Sequence, residues 1–345
     1  MLTTNLDTAM TISVIIPVHG AVNEFKQCLG SIAAAAKTFD EIIVVADADE
    51  AAARFAEKSG IQVIRTVKGP LGPARARNLG AEMASGDLLL FIDADVVVPP
   101  DIGKTVLSAF QRHPHAAALF GSYDTDPAET NFLSQYKNLL HHYVHQNARE
   151  VASTFWAACG AVRRDIFIQM QGFDEKFSVP SIEDIELGYR LNAAGHSILL
   201  VKTLQVKHLK HWCLRGLLKT DFFQRALPWS ALILQKARFI NDLNTKKSER
   251  FSVAACALLV LSPIFWPAAG ALISIVPAAL IAGLNWRLYR FFYRKRGLLF
   301  ALGAVFWHGF YLFYSGIAFG ITVAKFLLGR DRFRVAYNPY AEKSR

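Results

Sequence analysis

The stretch "GDLLLFIDADVVVPPD", residues 86–101, sets Asp93 and Asp95 two positions apart at the end of an apolar run. On an extended chain, residues i and i+2 face the same way, so both carboxylates can enter one site. Two close anions are costly unless a cation or hydrogen-bond donors lie between them. Standing alone, an Asp-x-Asp before Pro99 and Pro100 is more often a solvated turn, so its neighbours must decide. A second acidic pair, Glu183-Asp184 in "SIEDIELGYRL", fits either an acidic first helical turn or a group that takes a proton from a hydroxyl. Asp47 closes another apolar run, "EIIVVAD", and His208 follows a strand-like segment in "VKHLKHW". His141 and His145 lie one helical turn apart in "HHYVHQ", yet no third ligand or HExxH motif accompanies them. That helix is better read as facing an acceptor or a membrane than as a metal site. Cys28, Cys159, Cys213 and Cys256 show no CxxC spacing, as expected of reduced thiols.

The elements that must carry these residues are legible as a rhythm. Short apolar runs at 12–18, 41–47, 61–66 and 87–93 alternate with helically spaced segments at 23–37, 50–60 and 72–86. Such alternation predicts an α/β fold, a parallel sheet with helices on both faces. Ligands bind beyond the carboxyl ends of strands in these sheets, so Asp47 and the Asp93/Asp95 pair are expected to converge on one crevice. After Pro100 come a helix at about 101–112, a second helix in "NFLSQYKNLLHHYVHQNARE", and the strand-like "HSILLVKTLQVKHL". This is where a nucleotide-binding half would acquire an acceptor-binding half.

Several blocks together resemble family 2 glycosyltransferases of the GT-A fold, of the membrane-associated bacterial type. They are "SVIIPVHG", Asp47 at the end of the second run, and "GPARARNLGAEMASGDLLLFIDADVVVPPD", followed in the family's order by "FWAACGAVRRDIF", "GFDEKF" and "EDIELGYRL". The resemblance covers about residues 12–210 and implies a Rossmann-like mixed sheet. It implies a UDP- or GDP-linked sugar as donor, with Mn2+ or Mg2+ neutralising the departing diphosphate. Under it Asp95 ligates the metal, Asp93 faces the ribose or the metal, and His208 supplies a further ligand. Asp47 binds the base or ribose, Pro17 and Val18 line the base pocket, and either Arg77 of the "RN" pair or Arg75 contacts the diphosphate. Asp184 is the base of an inverting transfer, with Trp156 on the acceptor side and Glu183 orienting the acceptor or the loop. The chain departs from the pattern at Ala46 and Ala48, where the family commonly has a second aspartate and Gly-Ser. "QRALPW" lacks the spacing of the processive members' QxxRW.

Composition shifts sharply after residue 250. The segment 251–286 contains no charge, and 298–324 is uncharged apart from His308. Both exceed the ~20 residues that cross a bilayer. Much of the net charge of +10 flanks them: Lys246, Lys247 and Arg250 before, "RLYRFFYRKR" between, and Arg330, Arg332 and Arg334 after. That distribution fits the positive-inside rule and anionic lipid rather than nucleic acid, for which no module is present. "ISVIIPV" is too short for a signal peptide and lacks a basic flank. The expected organisation is a cytoplasmic catalytic domain at 1–210, divided near residue 100 into donor and acceptor halves. An interfacial connector (211–250), a membrane region of two to four spans (251–330) and a polar tail (331–345) follow. Pro263, Pro267 and Gly270 suggest that the first apolar stretch folds into a hairpin of two short spans; a single long tilted span is the alternative.

A catalytic domain tied to the inner, cytoplasmic membrane points to a membrane lipid acceptor. A phosphate acceptor would need little base, so the Glu183-Asp184 pair favours a hydroxyl on a lipid or lipid-linked saccharide. The rival enzyme reading is transfer to a polyprenyl phosphate. The rival from another class is a membrane scaffold with a degenerate transferase domain.

Overall fold

A computed structural model describes residues 10–20, 22–67, 69–235 and 242–329. The predicted roles of Arg330, Arg332, Arg334 and the polar tail, and the last part of the connector helices, lie outside the described residues. The chain divides into two compact units. One holds the described residues up to Ala128 together with Glu150–Lys210; the other holds Glu129–Arg149 and the described residues from His211 onward.

The first unit begins as the rhythm of its sequence predicts. Strands β1 (Ile12–Val18), β2 (Glu41–Asp47), β3 (Gln62–Thr66) and β4 (Leu88–Ile92) alternate with helices α1 (Val22–Ala35), α2 (Glu50–Lys58) and α3 (Pro73–Met83). The strands pair in parallel in the order β3-β2-β1-β4. Every residue of β4 is buried, which explains its unbroken run of apolar residues: helices cover both faces. Past β4 the sheet is mixed. Strand β5 (Val96–Val97) and helix α4 (Ile102–Arg112) lead into β6 (Ala116–Tyr123). After an excursion into the other unit the chain returns through β7 (Val151–Ala152), β8 (Cys159–Arg163) and β9 (Ser197–His208). Strand β8 runs antiparallel between β4 and β6, β9 runs parallel to β6, and β5 closes antiparallel on the end of β9. The sheet is therefore the predicted mixed one: the first four strands are parallel, and beyond them β6 and β9 form a further parallel pair.

The second unit is helical. Helix α5 (Phe132–Gln146) buries Tyr136, Leu139 and Leu140 against Leu288, Tyr289 and Phe292 of the long C-terminal helix. Lys137 of α5 pairs at 2.5 Å with Asp221, which sits in a π-helical stretch (Lys219–Ala226) and also accepts from Tyr314 at 2.9 Å. A charge removed from water must be paired, and this pair also pins three helical segments together. Two helices, Lys247–Ala268 and Trp286–Leu327, are long and apolar enough to cross a membrane. In the longer one Gly297, at φ 82°, breaks the helix where the basic segment meets the apolar one.

Candidate active site

The geometry starts from the "RN" pair in α3. Arg77 is only 5% exposed. One end of its guanidinium donates to Asp93 Oδ1 at 2.6 Å and the other to Glu183 Oε1 at 2.8 Å. Burial alone would lower the Arg77 pKa, but the two carboxylates hold it charged and above its ordinary value. Asn78 makes the complementary clamp: its amide donates to Phe173 O at 2.9 Å and accepts from Phe173 N at 2.9 Å. It thereby fixes the start of the "GFDEKF" loop. Arg75 pairs with Glu175 of that loop at 2.8 Å. The block reads as a motif because adjacent side chains of one helix tie down three separate segments.

Asp93 and Asp95 do not lie on an extended strand. Val96 N donates to Asp93 O at 3.3 Å, so the Asp93-Ala94-Asp95 stretch turns between β4 and β5. Ala94 packs inward at 8% exposure, while both aspartates remain half-buried. The turn thus achieves what extended alternation was expected to do. The short β5–β9 ladder, with Val96 opposite His208, then sets His208 Nε2 3.7 Å from Asp95 Oδ2. That is an ion-pair distance rather than a hydrogen bond. Burial would raise the Asp95 carboxyl, yet His208 and Lys210 hold it below the usual carboxylate range. Tyr123 stacks on the His208 ring (4.1 Å between centroids, 16°) and meets Trp156 edge-on at 4.9 Å. An aromatic row therefore runs from Trp156 to the Asp95–His208 pair. Tyr123 and its neighbour Asp124, whose carboxyl burial raises, escaped the sequence reading. Their only signal was a polar "SYD" closing an apolar strand.

Asp184 opens helix α7 (Glu183–Ala193), where the unpaired N–H groups of the first turn favour carboxylates. Its Oδ2 accepts from Ala157 N at 3.2 Å, while Asp93 N donates to Ala158 O at 3.2 Å. Both acidic motifs therefore abut the same short segment entering β8. Glu183 is buried, and between Arg77 and the N–H of Ser181 (3.0 Å) its carboxylate orders the loop before α7.

Asp47 is 3% exposed. Its carboxylate accepts from Thr66 Oγ1 (2.7 Å), Leu71 N (2.9 Å) and Gly72 N (2.9 Å). These bonds engage both of its oxygens and shape the loop that begins α3. Gly72, at φ 90°, is required there: a Cβ would stand 2.3 Å from Ser178 O. Val18 is buried in the sheet core, so any donor contact from it is through its main chain; Pro17 remains half-buried. Among the described residues no three His, Cys, Asp or Glu side chains group as a metal cluster, which leaves Asp95 and His208 as a two-donor pair.

A GT-A-like mixed sheet with an Asp-x-Asp turn at the end of its fourth strand and a helix-borne acidic pair defines the α/β class to which sugar-transfer domains belong. Residues 13–170 match the family model "Glycosyl transferase family 2", and the chain carries a domain of that family. A validoxylamine A glucosyltransferase of Streptomyces hygroscopicus subsp. jinggangensis (strain 5008) is 27% identical over 220 residues, covering 53% of this chain and 52% of the relative. The chain thus spans about half the length of that curated relative. Among solved structures, mannosyltransferase PcManGT of Pyrobaculum calidifontis, in complex with GDP-Man and Mn2+, superposes with a TM-score of 0.52. It shares 15% identity, and the match covers 94% of this chain and 89% of that one. S. aureus TarS 1-349 in complex with UDP-GlcNAc gives a TM-score of 0.50 at 16% identity, covering 94% and 93%. At such identities the likeness is one of fold.

Proposed function

We propose that this chain is an inverting glycosyltransferase that moves a sugar from a nucleoside diphosphate sugar to a hydroxyl of a membrane lipid or lipid-linked saccharide. The observation that carries this reading is the meeting of Asp93 and Asp184 at Ala157–Ala158, with Arg77 bridging Asp93 to the residue before Asp184. The complexes of the two solved relatives, one with GDP-Man and Mn2+ and one with UDP-GlcNAc, support the donor class.

Asp95 and His208 would hold a divalent ion. The pair fits Mn2+ or Mg2+, which accept carboxylate and imidazole donors and complete their shells with phosphate oxygens and water. When bound, such an ion supplies charge neutralisation for the departing diphosphate. Tyr123, stacked on His208, fixes the ring that must face it. Asp184 is the base that accepts the proton of the acceptor hydroxyl as its oxygen attacks the anomeric carbon. Arg77 holds Asp93 in place beside the donor, so its contribution is positioning rather than a diphosphate contact. Asp47 acts one step back, by shaping the Leu71–Gly72 loop against which a base or ribose would lie. Trp156, half-buried at the end of the aromatic row, offers an apolar face for a sugar ring. The helices after residue 246 attach the protein to the cytoplasmic face of the inner membrane, where both the donor and a lipid acceptor are accessible.

The test is transfer by the purified full chain from a panel of labelled sugar nucleotides, with Mn2+, into native membrane lipids, the product read by mass spectrometry. A glycosylated lipid names donor and acceptor together; absence of transfer from every donor would favour the scaffold reading. Asp184→Asn separates acceptor types, because a phosphate acceptor that needs no base would keep its rate.

A further inference from the structure

The uncharged segment that opens the membrane region pairs an arm long enough to cross a bilayer, Lys247–Ala268, with a return arm, Ala271–Leu284, that is too short to do so. Helix α10 of the described chain (Lys247–Leu261) and the returning helix α12 (Ile275–Leu284) pack together, joined by short helical turns around Gly270 at φ 74° (the turn's helix, Trp266–Ala269, is α11, with α8, Leu214–Leu218, and α9, Leu227–Gln235, earlier in the chain). Two polar rungs tie the arms. At the open end Asn285 Nδ2 donates to Ser252 Oγ at 2.9 Å; at the closed end the hydroxyls of Ser262 and Ser274 share a 2.6 Å hydrogen bond. Trp266 Nε1 donates to Ser274 Oγ at 3.0 Å, so the indole is also satisfied inside the cap.

The rungs set a length. From Ser252 to Ser262, and back from Ser274 to Asn285, each arm rises about 15–17 Å at the helical 1.5 Å per residue. On the returning side the turn Ala271–Ser274 adds about 6–8 Å. The return arm, which limits how far the pair can reach together, is therefore about 22–25 Å deep, against a hydrocarbon core of ~30 Å. The hairpin's cap, "SPIFWPAAGALIS", carries no charge. Ile264, Phe265, Trp266, Leu272 and Ile273 point outward from it. A turn that surfaced in water on the far side would present polar groups; this one presents apolar side chains and ties off its polar atoms, as hydrocarbon demands. The open end is basic, with Lys246, Lys247 and Arg250 before the first arm and Arg287 and Arg290 after the second, which suits anionic head groups on one surface.

We propose that the hairpin Lys247–Leu284 is re-entrant: it enters and leaves the same leaflet and ends its cap within the acyl chains. The partner it fits is a lipid leaflet with an anionic surface, and the inference rests on the membrane attachment proposed above. The consequence is that the residues on either side of the hairpin, up to Arg250 and from Arg287, lie on one face of the membrane.

The experiment uses the full chain with Leu272→Cys, reconstituted into vesicles of phosphatidylethanolamine and phosphatidylglycerol. A membrane-impermeant maleimide is supplied outside, inside or on both sides, and each cysteine is read by peptide mass spectrometry. Exposed Cys213 reports the face from which the hairpin enters. The expected result is modification of Cys213 from one side, none at position 272 from either, and full modification at 272 once detergent dissolves the vesicles. Modification at 272 from the side opposite Cys213 would mean a crossing hairpin; modification from the same side would mean a hairpin lying in water. Either overturns the proposal. Ile264→Cys gives a second reading if Leu272→Cys fails to fold. Failure of the protein to float with vesicles is a separate outcome, which removes the membrane attachment itself.

Discussion

Without the Arg77 guanidinium, Asp93 and Glu183 would face one another with no cation between them. Removing one partner of a buried pair typically costs about 3–5 kcal/mol, because the remaining charges have nothing to replace it. Arg77→Gln is therefore expected to lower the stability of the first unit by that order, read as a shift in the denaturant midpoint. Asp184 carries a different expectation. Asp184→Asn keeps the shape and the Ala157 contact but cannot take a proton, so kcat should fall about a hundredfold to ten-thousandfold. Donor affinity, measured by calorimetry, should stay within about twofold, since no donor contact is assigned to Asp184; a matching loss of donor binding would refute the base assignment. At Asp95 the order reverses. Asp95→Ala should abolish the Mn2+-dependent part of donor binding while leaving the fold intact, because the residue is half-buried and outside the core.

At the scale of the element, the loop before α3 is where backbone and function meet. Gly72 combines a left-handed φ with a contact that leaves no room for a Cβ, whereas Gly195 has a similar φ (83°) and open space around it. Gly195→Ala should cost about 1 kcal/mol, the ordinary strain of that conformation. Gly72→Ala should cost about 3 kcal/mol, since the Ser178 backbone must also move. Equal losses in thermal or denaturant unfolding would show that the close approach does not matter. The β5–β9 ladder has similar leverage: two residues of pairing set His208 beside Asp95.

On the scale of the whole molecule, the two units are not two consecutive stretches of chain. Helix α5 lies in sequence between β6 and β7, yet it completes the helical unit by covering the long helix Trp286–Leu327, with Tyr136 and Leu139 fully buried there. A fragment ending at residue 210 would expose that face. It should aggregate or require detergent, and replacing 129–149 with a short Gly/Ser linker should restore solubility, as size-exclusion chromatography would show. A monodisperse 1–210 fragment would contradict this.

The first four strands and three helices were legible within a few residues, because each is set by local periodicity and by burial on both faces. The uncharged stretches were legible too, since composition alone decides whether a segment can avoid water. The long "ARN…G…ASGD…FIDAD" block was legible as one contiguous α3–β4 stretch, although its Arg75, Arg77 and Asn78 reach segments far along the chain. The sequence could not place Glu183 on Arg77, Tyr123 on His208 or α5 on the long helix Trp286–Leu327, nor could it tell the Asp93–Asp95 turn from a strand. Those choices depend on contacts between segments far apart in the chain, where topology and the need to pair every buried charge select one arrangement among many that the same local patterns allow.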